Sequence, residues 1–571
     1  MVEDAVSRQA DEITGRLHDG EAAWGRMSLV DRRKLLERFG ELTARHASEW
    51  IQAAARVKGL SEGSPLIGEE WISGPWAVLG YVGALRQTLQ RLENREDVLA
   101  GFPIRTLVND QLAVKVLPAG IYDRLLLNGF TAEVWMQPGV TENELRRTAG
   151  LGQRDPAQTR GVVLVLGAGN IFSIAPLDAL YQLYAENRAV VLKLNPITDP
   201  LKPVFDKIFA PFIDLGVLEI VTGGVQIGSE LAYHEQISAV HMTGSEHTHD
   251  AIVWGSADEA RAAKESGRPK LDKPITSELG GVAPVIIVPG RWSQADLTFQ
   301  ARHVATQRLH NSGSNCIAAQ IVLVSSDWEQ KDAFLAELRA AMAAAPARPA
   351  WYPGSDDRIR QARERHPEAA AAAGGTPART LLTGLHLGDA AEDAFDTEYF
   401  APVLGVSELP GTGADFLRSA IAASNQRLRG TLGANIIIHP MTRKELGPAF
   451  ARAIADLRYG TIGINAWTGV GYLTPYATWG AFPGHTLDDV QSGIGVVHNA
   501  LLLERTERTV VDGPFRPTPR ALLHGEWTIS PKPPWFVDNR TAATTGKLLT
   551  SFAARPRWSA LPAIFASALR G

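Results

Sequence analysis

The stretch GVVLVLGAGNIFSIAPLDALYQLYAENRAVVLKLNP, residues 161–196, decides the fold. Two short apolar runs, GVVLVLGAG (161–169) and AVVLKL (189–194), flank a segment over 176–187 with helical character. Strand, helix, strand is the repeating unit of a parallel sheet. A strand apolar at every position, not every second one, is buried on both faces. The alternation continues with a helix ending near Asp214, then strands at LEIVTGG (218–224) and ISAVHMTGS (237–245), the last leading into a helix. This pattern predicts a doubly wound parallel sheet. Ligands on such sheets bind beyond the carboxyl ends of the strands, which places Asn170, Lys193, Gly223, Gly244 and Ser245 along one rim.

Working outward, apolar residues from Trp24 to Leu60 recur at helical spacing, with Ser28 as an N-cap. Residues 105–140 read as short strands separated by turn residues. A second α/β unit begins near Gly280, with strands at VAPVIIVPG (282–290) and AQIVLVSS (319–326) around a helical segment carrying His303 to His310. The Ala-rich stretches 339–349 and 369–375 read as helix and loop. Residues 517–571, rich in Pro and Trp, form a tail of different composition.

The chain has 571 residues, too many for one compact core, which favours two or three domains. A net charge of -5 gives no electrostatic footprint for nucleic acid or an anionic membrane. The acidic N-terminus lacks a secretory pattern, and no apolar run is long enough to span a bilayer. Cys316 is the single cysteine, so no internal disulfide or thiolate cluster forms, and a reducing cytoplasmic setting is expected.

Three segments carry chemistry. In LHNSGSNCIAAQIVLV (309–324), Cys316 sits between a Gly/Ser/Asn loop and a strand. The small residues give a thiol nucleophile access, although a buried cysteine at a strand start fits the segment equally. In TSELGGVAPVIIV (276–288), Glu278 precedes two glycines, where a carboxylate serves as a general base through one water or as a solvated surface group. In GAGNIFSIAP (167–176), Asn170 ends a strand, where its amide donates to an oxyanion or forms a turn. GAGNIF lacks the third glycine of the dinucleotide fingerprint.

Together these segments resemble, in order and spacing, the aldehyde dehydrogenase superfamily, from about Trp24 to about Pro517. The most specific parts are Glu-Leu-Gly-Gly at 278–281 and Asn-x-Gly-x-x-Cys at 311–316. VVLKLNP (190–196), MTGS (242–245), EYFAPVLGV (398–406), GTLGANIII (430–438) and GTIGINAW (460–467) support them. The resemblance implies an NAD(P)-binding domain over 1–278 and a catalytic domain over 279–470. It also implies a return segment with an oligomerisation strand over 471–516, followed by an extension over 517–571. Strands within 105–140 and RTVVDGPF (508–515) look like a small projecting β oligomerisation element, and a homodimer or homotetramer is implied.

Carried over residue by residue, Cys316 resembles the nucleophile that attacks an aldehyde carbonyl. Asn170 resembles the oxyanion donor, and Glu278 the base that activates water to hydrolyse the acyl-enzyme. Lys193 resembles the adenosine-ribose contact, and Gly244 and Ser245, with Gly223 on the same rim, the pyrophosphate-facing turn. Leu279 and Gly280 resemble backbone contacts near the nicotinamide, Glu398 its ribose carboxylate, and Phe400 the aromatic beside it. Phe172, Trp467 and Phe482 are substrate-contact candidates, and Trp479 also falls where the family lines its substrate tunnel.

The chain departs from the family pattern at several points. Pro196 stands where a ribose-binding Glu is usual, leaving NAD and NADP both open. Ser314 and Asn315 precede Cys316, and His249 replaces a usual Gly. The longer segment between Gly244 and Glu278 reads as a surface loop. No Cys or paired carboxylate motif accompanies His241, His247 and His249, so no metal is expected. Two rivals stand beside hydrolytic aldehyde oxidation. Glu278 argues against a CoA-acylating dehydrogenase, and Cys316, Glu278 and Asn170 together argue against a silent relative with a binding role.

Overall fold

The computed structural model describes residues 2–367, 370–371 and 379–571. Two parallel-containing sheets organise the chain. The smaller has six strands, in the order 493–494, Ile275–Leu279, Ile237–Gly244, Val162–Leu166, Ala189–Lys193, Leu218–Val221. All neighbours run parallel except 493–494, which pairs antiparallel with Ile275–Leu279. Burial on both faces explains the unbroken apolar runs. Val163, Val165, Val190 and Leu192 pack with Phe39, Leu177 and Phe205 on one side. Val162, Leu164, Ala189 and Val191 pack with Ile13, Leu17 and Leu231 on the other.

The chain winds outward from Val162–Leu166 to Leu218–Val221, then returns to place Ile237–Gly244 on the opposite flank. The resulting crevice lies where Gly167–Asn170 and Gly244–Ser245 leave adjacent strands.

The N-terminal third is helical as the spacing predicts. The helix Leu29–Val57 starts at Ser28, whose Oγ accepts the Asp31 N–H at 3.2 Å. Arg32 is fully buried beneath Trp24, and its guanidinium donates to Asn187 Oδ1 at 2.6 Å and Gln153 Oε1 at 3.0 Å. This tie fastens the helical layer to the edge of the sheet.

The larger sheet has eleven strands, running from Ile104–Thr106 through Leu112–Leu117, Thr131–Met136 and Thr506–Asp512 to Thr461–Ile464 and Gly433–Ile437. It continues through Ala283–Ile287, Ala319–Ser325, Val403–Leu409 and Thr380–Leu385 to Ala370–Ala371. The three strands within 104–136 are antiparallel and join Thr506–Asp512 antiparallel, while Thr506–Asp512 runs parallel to Thr461–Ile464. The strands within 104–136, expected from the sequence as a small β-element with 508–515, thus form one edge of the larger sheet.

Between Gly244 and Glu278 the helix expected after Ser245 is present, and a second helix stands where a surface loop was expected. Helices Glu246–Trp254 and Ala257–Ser266 fill the segment, and Val253 and Trp254 are buried against the small sheet. Of the stretch 369–375, residues 369 and 372–375 lie outside the described residues. In the tail, the helix Ala542–Ala554 packs over Ile67–Trp71 and Ala77–Glu93, and Leu561–Ala568 packs against Ala542–Ala554. They roof a cavity of about 340 Å³ lined by Trp76, Leu126, Tyr476, Trp535, Phe552 and Phe565. Among the described residues no helix is long and apolar enough to cross a membrane.

Candidate active site

The chain passes from the small sheet to the large one between Leu279 and Ala283. Glu278 sits at the last turn of the first strand before this crossing. The cysteine loop descends on it from the other side. The helix Gln294–Leu309 ends at His310, and Asn311, Ser312 and Gly313 then take φ of 54°, 57° and 75°. Three left-handed residues in a row are costly where two carry side chains, and the surroundings hold them.

The Asn311 N–H donates to Glu69 Oε2 at 3.0 Å. Its side-chain amide donates to the carbonyls of Asn170 at 3.1 Å and Ser314 at 3.0 Å. Ser312 Oγ donates to Pro349 O at 3.2 Å, and buried Arg308 donates to Gly313 O at 2.7 Å. Glu69 is held in turn by Arg348 at 2.7 Å. At Gly313 a Cβ would fall 2.7 Å from the Ala401 backbone, so only glycine fits.

This bracing presents Cys316 partly exposed, with Sγ 3.8 Å from Glu278 Oε1. Burial pushes the thiol pKa well up, and the nearby Glu278 and Glu398 carboxylates add to the rise. Both effects favour the thiol over the thiolate.

Glu278 is 3 % exposed. Its Oε1 accepts the Trp479 indole N–H at 2.5 Å, and Oε2 has no partner among the described residues. Burial, then the charge of Asp178, pushes its pKa up to about 8, while the indole and thiol contacts pull the other way. Asn170 Nδ2 donates to Ser314 O at 3.0 Å, so the amide is fixed against the carbonyl two residues before the cysteine.

Glu398 is half-buried with its Oε1 sealed from solvent, and desolvation lifts its pKa to about 8 against the opposing Arg308 and Arg358. Its carboxylate lies so close over Gly280 that a Cβ there would stand 2.0 Å from an oxygen. The Leu279 N–H donates to Ser492 O at 2.9 Å, and Gly280 O accepts from Ser492 Oγ at 2.9 Å. Phe400 has φ 45° and meets Tyr352 edge-on at 4.8 Å.

The rim residues lie where the strand ends predict. Lys193 closes its strand at 8 % exposure, its pKa lowered by burial and raised in part by neighbouring Asp199. Gly223 leads to Gly224, which starts the helix Val225–Tyr233 with no side-chain cap, and Val225 is 87 % exposed. Gly244 ends its strand, and Ser245 Oγ caps the next helix by accepting the Thr248 N–H at 3.2 Å. Glu246 in that first turn is paired with Arg429.

The three substrate candidates separate in space. Trp467 packs on His310 of the cysteine loop at 4.8 Å. Phe172 is 2 % exposed and lies under Lys58, whose ammonium is bonded to Glu70 at 2.8 Å. Phe482 packs under Arg508 on the strand Thr506–Asp512. The sequence reading passed over Glu69, Arg348 and Asp199, and gave Trp479 only a place in the tunnel wall. Residue 479 lies 201 positions from Glu278, and no local signal marks that contact.

The model of the aldehyde dehydrogenase family matches residues 132–357. The N-succinylglutamate 5-semialdehyde dehydrogenase of Chromobacterium violaceum is 26% identical over 502 residues, covering 84% of this chain and 86% of the relative. The NADP-dependent glyceraldehyde-3-phosphate dehydrogenase of Bacillus halodurans, solved with NADP, superposes with a TM-score of 0.59. Its identity is 20%, over 88% of this chain and 91% of that one. Aldehyde dehydrogenase C of Pseudomonas syringae, solved as a mutant with NAD+ and octanal, gives a TM-score of 0.57 at 18% identity, over 90% of each chain. The fold, the order of motifs and these similarities agree in likening the chain to the aldehyde dehydrogenases, whose family model covers residues 132–357.

Proposed function

We propose that the protein oxidises an aldehyde to a carboxylic acid through a thioester on Cys316, with NAD as electron acceptor. The observation that carries this reading is the partly exposed Cys316 sulfur 3.8 Å from a buried, unneutralised carboxyl at Glu278. The Cys316 sulfur bonds to the aldehyde carbon, the carbonyl electron pair moves to the oxygen, and the thiol proton passes by way of Glu278 to solvent. The Cys316 N–H and the second hydrogen of the Asn170 amide stabilise the resulting oxyanion. Bound nicotinamide supplies the hydride acceptor. Water then attacks the thioester, Glu278 takes its proton, the carbon–sulfur bond breaks and the acid leaves.

The strand-end rim fits a dinucleotide. The uncapped N-terminus of Val225–Tyr233 offers free N–H groups to a phosphate, and exposed Val225 offers an apolar face. Asp199 Oδ1, buried and unpartnered among the described residues, faces the Lys193 charge. The carboxylate missing at Pro196 is thus supplied from the next turn. It suits ribose hydroxyls and repels a 2′-phosphate, which selects NAD over NADP. Calorimetry is expected to give tighter binding of NADH than NADPH, and Asp199→Ala to narrow the gap about tenfold. Equal affinities in the wild type would remove the assignment.

Cys316→Ala is expected to abolish turnover. Glu278→Gln is expected to release one equivalent of NADH per site and then stall. Wild-type steady-state turnover in Glu278→Gln would refute the base. A working thiol suits a reducing compartment, and the protein is read as cytoplasmic. Leu523 at 80% and Trp527 at 89% exposure support a homodimer or homotetramer.

A further inference from the structure

Glu278 meets one neutral hydrogen-bond donor that no sequence motif announces. Trp479 lies on the two-residue strand Thr478–Trp479, which pairs antiparallel with Val497–His498. Its indole is 1% exposed and its N–H points at Glu278 Oε1, at 2.5 Å. Aromatic neighbours fix the ring plane. Tyr472 meets it edge-on at 5.3 Å, and His498 lies nearly parallel at 6.4 Å. Tyr472 is itself tethered, with its hydroxyl 2.6 Å from Ser173 Oγ, which donates to Ser73 O at 2.5 Å. Ser173 stands three residues after Asn170, so one chain of contacts joins the indole to the oxyanion side of the site. The two oxygens of Glu278 are unequal as a result. Oε1 is held by the indole beside the sulfur, and Oε2 is left without a partner among the described residues.

We propose that Trp479 is a positioning residue for the hydrolytic half-reaction. Its N–H pins Oε1 of Glu278 next to the Cys316 sulfur, and so aims Oε2 at the water that attacks the thioester. The proposal rests on the reading of Glu278 as the base. In the step concerned, the water oxygen bonds to the acyl carbon and the water proton passes to Oε2. The carbon–sulfur bond breaks, and its electron pair returns to Cys316. Without the N–H, the carboxylate is free to rotate, and a donor that favours its charged form from outside the reacting pair is lost.

The titratable groups facing Glu278 are the Cys316 thiol, the Asp178 carboxyl on the helix Ile174–Tyr184 and the Tyr472 phenol, with His498 behind the indole. Asp178 raises the Glu278 pKa, and the indole lowers it.

The test needs no cofactor. p-Nitrophenyl acetate acetylates Cys316 with release of p-nitrophenolate. After rapid desalting, loss of the acetyl mass is followed by intact-protein mass spectrometry from about pH 6 to about pH 10. The wild-type decay is expected to rise with pH through one midpoint above the ordinary carboxylate range, because burial raises Glu278 and acetylation removes the thiol contact that lowers it. Trp479→Phe, which keeps a stacked ring, is expected to form the same acetyl-enzyme and lose it about 10- to 100-fold more slowly, the loss expected for one bond to a charged group. Its midpoint is expected to move to higher pH. Trp479→His retains a ring N–H and is expected to recover part of the rate, which guards against a folding defect in the Phe variant. A Trp479→Phe acetyl-enzyme that decays at the wild-type rate, or more slowly with an unchanged midpoint, would overturn the proposal and leave the indole a packing group. Glu278→Gln separates the two claims, because wild-type decay in that variant would defeat the base itself and not the indole.

Discussion

Glu278 and Glu398 both carry carboxyls that burial lifts from 4.5 to about 8. In the unfolded chain both ionise near their ordinary value. Between the two pKa values the folded protein binds more protons than the unfolded one, so stability falls as pH rises from about 4.5 toward 8. Glu278→Gln and Glu398→Gln, neutral at every pH, are expected to raise the melting temperature at pH 8 and to change it little at pH 5. Thermal unfolding at the two pH values measures this, and a stabilisation larger at pH 5 would contradict the assigned directions. The same burial that makes these groups expensive equips Glu278 to accept a proton near neutral pH.

At this scale the sequence was informative where chemistry and spacing coincide. Cys316, Glu278 and Asn170 are legible because each stands in a short Gly-rich motif, and the structure gathers them at one junction. Trp479 and Asp199 were not legible as partners, because a side-chain contact across 201 residues, or from a neighbouring turn, leaves no periodic trace.

At the scale of the element, the cysteine loop is the part of the fold that stores cost. Asn311 and Ser312 hold left-handed backbone angles because Glu69 and the carbonyls of Asn170 and Pro349 take up their polar groups, while Arg308 holds the next carbonyl, that of Gly313. Glu69 and Arg348 are 4% and 6% exposed, and removing one leaves the other as an uncompensated buried charge. Glu69→Ala is expected to cost about 3–5 kcal/mol in denaturant unfolding. It is also expected to slow iodoacetamide labelling of Cys316, because the loop that presents the sulfur loses its brace. Unchanged stability and labelling would mean that the loop holds its shape unaided.

The strands were the most legible elements. An apolar residue at nearly every position, as in Val162–Leu166 and Ala189–Lys193, admits only a strand covered on both sides. The segment after Trp254 was not. Its low hydrophobicity and many charges look like a loop, yet a Ser256–Glu259 capping box starts a helix there that is anchored by few apolar contacts.

Across the whole molecule, two sheets meet at a crossing of a few residues, and the reactive groups come from both sides of it. The sequence predicted two α/β units and grouped strands within 105–140 with 508–515, but no local pattern showed that Thr506–Asp512 joins that group to Thr461–Ile464 of the larger sheet. The tail was legible only as different in composition. It closes over the N-terminal helices through Gly68 and Gly546 and leaves Leu522, Leu523 and Trp527 facing outward. Burying that patch between copies predicts that light scattering reads a multiple of the chain mass and that Trp527→Arg lowers it. A single-chain mass at micromolar concentration for the wild type would contradict the assembly.

Oxidation through a thioester requires the sulfur of Cys316 to carry the acyl group during turnover. Glu278→Gln, mixed with an aldehyde and NAD, acid-quenched and digested, is to be mapped by peptide mass spectrometry. The thioester route predicts the acyl mass on the peptide containing Cys316, in amount equal to the NADH released. NADH released at full yield with Cys316 unmodified would contradict it.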